Sequence, residues 1–156
     1  MKKIILDSNQ PLIATNQIGE AWTMVILKEV AKEKIEGYTD IFYLQEILDR
    51  YFYINEIFKG KKIFYAFKNI VTDIFSITPE DFDLSYKLYK KNKEISPRDL
   101  IHAAVGINNN ITEILSIDGP GFDKLKEIKR IKLPDLLKSL NLKNNYIYER
   151  KNISRS

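Results

Sequence analysis

Short apolar runs alternate with longer stretches of helical periodicity along this chain. Lys2–Leu6 reads as a short buried strand, ended by the polar turn Asp7-Ser8-Asn9-Gln10-Pro11. From Glu20 to about Glu36, Ala21, Met24, Val25, Lys28 and Ala31 recur at spacings of three and four, the period of one helix face. Trp22, Ile26 and Val30 lie beside that stripe, and Gly37 supplies a helix stop. Tyr38–Phe42 is a brief strand candidate. Tyr43 to about Ile57 follows as a helix with an Ile47, Tyr51 and Ile54 stripe, then Lys59–Ile70 as a basic, aromatic helix.

Thr72–Ile77 carries the β-branched and aromatic residues of a strand. Thr78-Pro79-Glu80-Asp81 is a helix start, with a cap, a Pro at the first position and a capping-box acid, and that helix runs to about Lys91. Ser96-Pro97-Arg98-Asp99 repeats the signal for a helix continuing through Leu100–Asn108. Asn108-Asn109-Asn110 ends it, since Asn tolerates left-handed backbone. Glu113–Ile117 is a strand before the turn Gly119-Pro120-Gly121. Lys129–Leu133 is a last short strand, and Pro134–Leu140 a terminal helix. Strands alternating with helices predict an α/β fold with a mostly parallel sheet and helices on both faces. Neither a repeat nor a linker breaks the pattern. The expectation is one domain over residues 1–140 and a polar, basic tail over 141–156.

Composition narrows the chemistry. The 156 residues include no Cys, which removes disulfides and thiolate zinc sites and is compatible with a reducing cytoplasm. The basic start Lys2-Lys3 is followed by an apolar run too short for a signal peptide, and no stretch approaches the roughly 20 apolar residues of a membrane span. The net charge of +4, from 25 basic and 21 acidic side chains, mildly favours polyanionic partners.

Four acids stand out against that basic body. Asp7 closes the first strand and Asp118 closes Ile114-Leu115-Ser116-Ile117, while Glu46 and Asp99 lie on predicted helices. Strand carboxyl ends in a parallel sheet share one edge, where ligands bind. Carboxylates gathered there repel one another unless a cation neutralises them, and hard oxygen ligands suit Mg²⁺ or Mn²⁺. Metal-assisted hydrolysis of a phosphate ester is the chemistry such a group serves.

In order along the chain, these pieces resemble the PIN domain, in particular the VapC-type toxin nucleases. Asp7-Ser8-Asn9 is similar to that family's opening Asp-Thr/Ser-Asn, and Tyr43-Leu44-Gln45-Glu46-Ile47-Leu48 to the helix bearing its second acid. Ser96-Pro97-Arg98-Asp99-Leu100-Ile101-His102-Ala103-Ala104 resembles its third block. Leu115-Ser116-Ile117-Asp118, with Gly121-Phe122 after it, resembles the fourth. The likeness runs from about residue 2 to about residue 133. It implies a PIN-like three-layer α/β/α sandwich with strand order 3-2-1-4-5, and Mg²⁺- or Mn²⁺-dependent cleavage of RNA. It further implies a small cognate antitoxin and a homodimer. The economical assignment makes Asp7 and Asp99 direct metal ligands. Asp118 and Glu46 then act through water or a second ion, and Ser8, Asn9 and Ser116 support them.

Other residues have plainer readings. His102 shares a helix face with Asp99 and is expected to be packed or hydrogen-bonded. Asp123 is expected at the surface. Tyr51, Phe52, Tyr53, Phe58, Phe64, Tyr65 and Phe67 serve a core, a partner surface or base stacking. The competing functional class is a PIN-like RNA- or protein-binding module that does not cleave. An aspartyl-phosphate phosphatase would want an Asp where Asn9 stands. A receiver domain would want an acidic pair where Asp7 stands alone.

Overall fold

A computed structural model describes residues 1–9, 20–116 and 121–142, with residues 20–23 as backbone only. Asp118 and most of the tail lie outside the described residues. The strands are β1 (Lys2–Leu6), β2 (Ile35–Asp40), β3 (Asp73–Phe75), β4 (Glu113–Leu115) and β5 (Lys129–Ile131). The helices are α1 (Glu20–Ala31), α2 (Ile41–Tyr53), α3 (Ile57–Ile70), α4 (Pro79–Lys91), α5 (Pro97–Asn108) and α6 (Leu133–Ser139). A 3₁₀ turn spans Phe122–Lys124.

All five strands pair in parallel, in the order β3-β2-β1-β4-β5. A parallel sheet must be covered on both faces, and β1 shows how this chain does it. Successive residues of a strand point to opposite faces. Ile4 and Leu6 enter one core with Ile26, Val30, Leu44, Ile47, Phe67 and Leu136, from α1, α2, α3 and α6. Ile5 enters the other with Leu88, Leu100, Ala103 and Ile114, where α4 and α5 pack. The result is three layers with β1 at the centre.

The order reverses between β1 and β4, because the chain builds outward from β1 first on one side and then on the other. In open parallel sheets such a switch point leaves a crevice beyond the strand carboxyl ends. Here Asp7 N donates to Leu115 O at 3.2 Å, which sets the end of β1 beside the end of β4. Thr39 Oγ1 on β2 donates to Leu6 O at 3.1 Å from the other side.

The largest differences from the expected boundaries lie around Gly37. The helix stops at Ala31, not Glu36, and Glu33 takes the left-handed backbone (φ 56°) that turns the chain. Gly37 then lies inside β2. A Cβ there would sit 2.8 Å from Leu6 Cδ1 and 2.9 Å from Val30 Cγ2, so the strand needs Gly for the close approach of α1. The second strand accordingly runs Ile35–Asp40, and the second helix begins two residues early, at Ile41. The crowded aromatics also divide. Tyr51 and Phe67 are buried, whereas Phe52, Tyr53, Phe58 and Tyr65 are exposed around the α2–α3 hairpin.

Candidate active site

Asp7 is the best-held acid at the switch point. It is buried just past β1 and collects hydrogen bonds from four groups. Ser116 Oγ, just past β4, donates to Oδ2 at 2.5 Å, and Asn9 Nδ2 to the same oxygen at 2.8 Å. Asn9 N and Ser8 Oγ each lie 3.2 Å from Oδ1. Burial pushes the Asp7 carboxyl above its ordinary range. The bonds from Ser116 and Asn9 pull it down without cancelling that effect, and Glu46 adds to the rise. A carboxylate so placed is costly to ionise, and positive charge beside it would favour its charged form.

Glu46 joins the same group. Ser8 Oγ is 2.5 Å from its Oε2, so one hydroxyl touches both acids. Arg98 Nε stands 3.0 Å from Glu46 Oε1. Burial raises the Glu46 carboxyl, but His102, Ser8 and Arg98 outweigh it and hold it below its usual value. Asp99, on the first turn of α5, is half-buried, and Ser96 Oγ accepts its backbone N–H at 3.1 Å. Its carboxyl packs against the backbone of Gly121, where a Cβ would come within 3.1 Å of Oδ2. Gly121→Ala is therefore expected to push the Asp99 carboxylate aside by a few tenths of an ångström while keeping the fold. The expected reading is weaker activity, about tenfold or less, at unchanged melting temperature, since small misplacements at reacting centres are costly.

Behind the acids lies a buried pair that sequence reasoning did not find. His102 Nδ1 is 2.6 Å from Asp40 Oδ2, and both side chains are almost wholly shielded. Asp40 Oδ1 also caps α2, accepting from Phe42 N at 2.9 Å and Tyr43 N at 3.2 Å. The Tyr43 ring stacks on the imidazole, 3.5 Å between centroids and 6° from parallel. His102 Nε2 faces Glu46 Oε1 at 3.7 Å, too far for a hydrogen bond. Burial alone would lower the imidazole. Asp40, and then Glu46, raise it instead to about 9. An Asp directly before an apolar-periodic helix was a readable cap signal. Its bond to His102, 62 residues on, was not.

The Tyr43 hydroxyl is buried with no hydrogen-bond partner among the described residues. Burial, then the charges of Asp7, Asp40, Glu46 and Asp99, push this phenol well above its ordinary value. Asp7 and Asp99 share no hydrogen bond with each other among the described residues. Asp123 is taken up elsewhere, by the Arg130 fork at 2.9 and 2.5 Å.

These residues fit a small hard cation. Every candidate donor is oxygen, and the unpartnered phenol can bond a ligand's water. Among the described residues no three acidic or His side chains gather closely enough to cage an ion by themselves. Mg²⁺ does not need a cage, since it is commonly held by one or two carboxylates and keeps several waters.

No protein-family model matches the chain. Ribonuclease VapC13 of Mycobacterium tuberculosis and VapC ribonuclease Mb1869c of Mycobacterium bovis are each 28% identical to it over 130 residues. The match covers 82% of this chain and 98% of each relative. Solved structures agree in fold. VapBC2 from Rickettsia felis, bound to a promoter DNA fragment, matches with a TM-score of 0.69 at 14% identity, over 83% of this chain and 98% of that one. DNA-bound VapBC from Salmonella typhimurium matches with a TM-score of 0.68 at 12% identity, over 85% and 99%. The fold is PIN-like, and the sequence is VapC-like. The expected strand order and three layers of a PIN-like sandwich are those observed. Asp7, Ser8, Asn9, Glu46 and Ser116 form one bonded group, and Asp99 joins it through no hydrogen bond among the described residues. Among the described residues, no helix is long and apolar enough to cross a membrane.

Proposed function

We propose that this chain is a Mg²⁺- or Mn²⁺-dependent endoribonuclease and the toxin of a toxin–antitoxin pair. The observation that carries the reading is Asp7: a buried carboxylate at the sheet switch point, bonded by Ser116 and Asn9 and joined to Glu46 through Ser8. Likeness to proteins named as VapC ribonucleases, over four fifths of the chain, supports the same activity. Solved relatives described as VapBC complexes support a small antitoxin as partner. Residues 1–140 form the nuclease domain in this reading, and 141–156 a basic tail. The protein works as a homodimer in the cytoplasm.

Asp7 and Asp99 would hold the ion directly, with Glu46 and Asp118 acting through water or on a second ion. The bound cation supplies a water of lowered pKa and charge to meet the developing phosphorane. The chain's own groups do the positioning. Ser116, Ser8 and Asn9 fix both Asp7 oxygens, so that carboxylate spends no entropy finding its place. Ser8 couples Glu46 to it. Tyr43, kept protonated, offers a buried, unpartnered hydrogen-bond donor near the acids.

The test is cleavage of a mixed RNA pool by purified protein with Mg²⁺ or Mn²⁺, with EDTA, and by Asp99→Asn. Expected is cutting that needs the metal and that Asp99→Asn reduces by at least about 10²-fold, the usual loss on removing one preorganised charge-stabilising group. Cutting indifferent to EDTA would overturn the metal role. RNA binding without cutting would favour the non-cleaving module.

A further inference from the structure

We infer that Arg98 is a substrate-phosphate-binding residue, held in reserve on Glu46 and transferred to the RNA backbone when a divalent cation takes that carboxylate. The inference rests on the proposed nuclease reading and deepens it.

Arg98 is the second residue of α5, directly before Asp99. Its side chain is 64% exposed and lies at the mouth of the acid group. The nearest approach of the guanidinium to Glu46 is Nε to Oε1 at 3.0 Å, and the two Nη groups of its fork donate no hydrogen bond among the described residues. The other arginines among the described residues are not so placed. Arg130 reaches the backbone oxygen of Ser116 with Nη1 at 3.4 Å but commits Nε and Nη2 to Asp123, and Arg50 sits in the last turn of α2. Arg98 also lines an open cleft of about 290 Å³ with Phe42, Gln45, Glu46, Asp49 and Ile101, running outward between α2 and α5.

The pair is one-sided: Arg98 is exposed, Glu46 is mostly buried, and Glu46 Oε1 has no well-aligned hydrogen bond, so the contact is a charge pair of poor geometry that a competing cation can displace. It has one function that a plain surface bridge lacks: it neutralises an acid proposed to act on the metal. A cation arriving at the acids competes for Glu46 and weakens its hold on Arg98. At that moment the phosphate of an incoming strand sits next to the guanidinium. A planar fork pairs two phosphate oxygens at once, which an ammonium cannot do. The rest of the site is acidic and repels RNA, so a cation at its rim is where attraction is most needed.

The test compares wild type, Arg98→Gln and Arg98→Lys in Mn²⁺ affinity, by electron paramagnetic resonance, and in cleavage of a labelled RNA oligonucleotide at saturating Mn²⁺. Arg98→Gln is expected to bind Mn²⁺ as tightly as wild type or more tightly, because a competitor for Glu46 is gone. Its KM should rise about tenfold, the worth of one charge-assisted contact. The slope of log KM against log salt should shrink by about 0.7, one single-strand phosphate contact. Arg98→Lys should recover the salt slope but only part of the KM. If Mn²⁺ affinity rises while KM and salt slope stay unchanged, Arg98 merely neutralises Glu46 and the inference fails. If wild type does not cut, the nuclease reading fails separately. Anisotropy of the same uncut oligonucleotide then decides on Arg98, with equal RNA affinity in the three proteins overturning it.

Discussion

Asp7→Asn is expected to end RNA cleavage while leaving the metal-free protein at least as stable as wild type. The two halves have one cause. Burial holds the Asp7 carboxyl above its ordinary range, so at neutral pH the folded chain carries a charge it would rather neutralise. Raised acid pKa values mean that ionisation costs folding free energy. An amide of the same shape removes that cost, and its oxygen can still accept from Asn9 N and Ser8. Its NH2 can donate to Ser116 and Asn9 once that hydroxyl and that side-chain amide turn over. It cannot supply the charge that draws a cation. Cleavage should fall by at least about 10²-fold. Mn²⁺ at a hundred times the dissociation constant should stabilise wild type by about 2.7 kcal/mol, raising its melting temperature, and stabilise the variant far less. Calorimetry with and without Mn²⁺, beside an activity assay, reads all of this. A variant that melts well below wild type without metal would make Asp7 a structural residue and remove the foundation of the functional reading.

The second large effect is on stability, at Asp40→Ala. This substitution strips a buried imidazole of its partner and takes the cap from α2 together. Breaking a buried charged pair costs roughly 3–5 kcal/mol, and losing an N-cap about 1 kcal/mol more. Set against typical stabilities of about 5–15 kcal/mol, the variant should melt at least about 10 °C lower. Asp40→Asn keeps the cap acceptor and should lose less, which separates the two contributions. The pH dependence has a definite sign. His102 rises from 6.5 to about 9 on folding, so its contribution is full below 6.5 and lost as pH climbs through 9. The gap between wild type and Asp40→Ala, followed in metal-free protein by thermal melts, should be widest near pH 6 and narrow towards pH 9. A gap that widens with pH would rule out the charged pair.

What could be read from the sequence divides along physical lines. Alternating strands and helices made a mostly parallel sheet legible, and its strand order came only with the PIN-domain resemblance carried by the blocks around Asp7, Glu46, Asp99 and Asp118. Asp7, Glu46 and Ser116 meet as that pattern requires. Gly37 was misread because a glycine after a helical stripe looks like a stop. Its actual task, letting Val30 approach β2, exists only once α1 has folded back. Asp40 was passed over inside a run taken for a strand. The Arg98–Glu46 and Asp40–His102 pairs join residues on different elements, and no local period announces such partners. The aromatics of the α2–α3 hairpin sorted into buried and exposed only when the two helices met.

The bond from Ser116 to Asp7 crosses 109 residues. A ribosome adding roughly 5–20 residues per second needs on the order of ten seconds to travel from one to the other. Throughout that time the first acid is made but its strand has no β4 beside it, and a parallel partner cannot be supplied by a hairpin. Through that interval Asp7 has only its sequence neighbours Ser8 and Asn9 as local donors. Its support is completed by the arrival of a single serine at the end of β4.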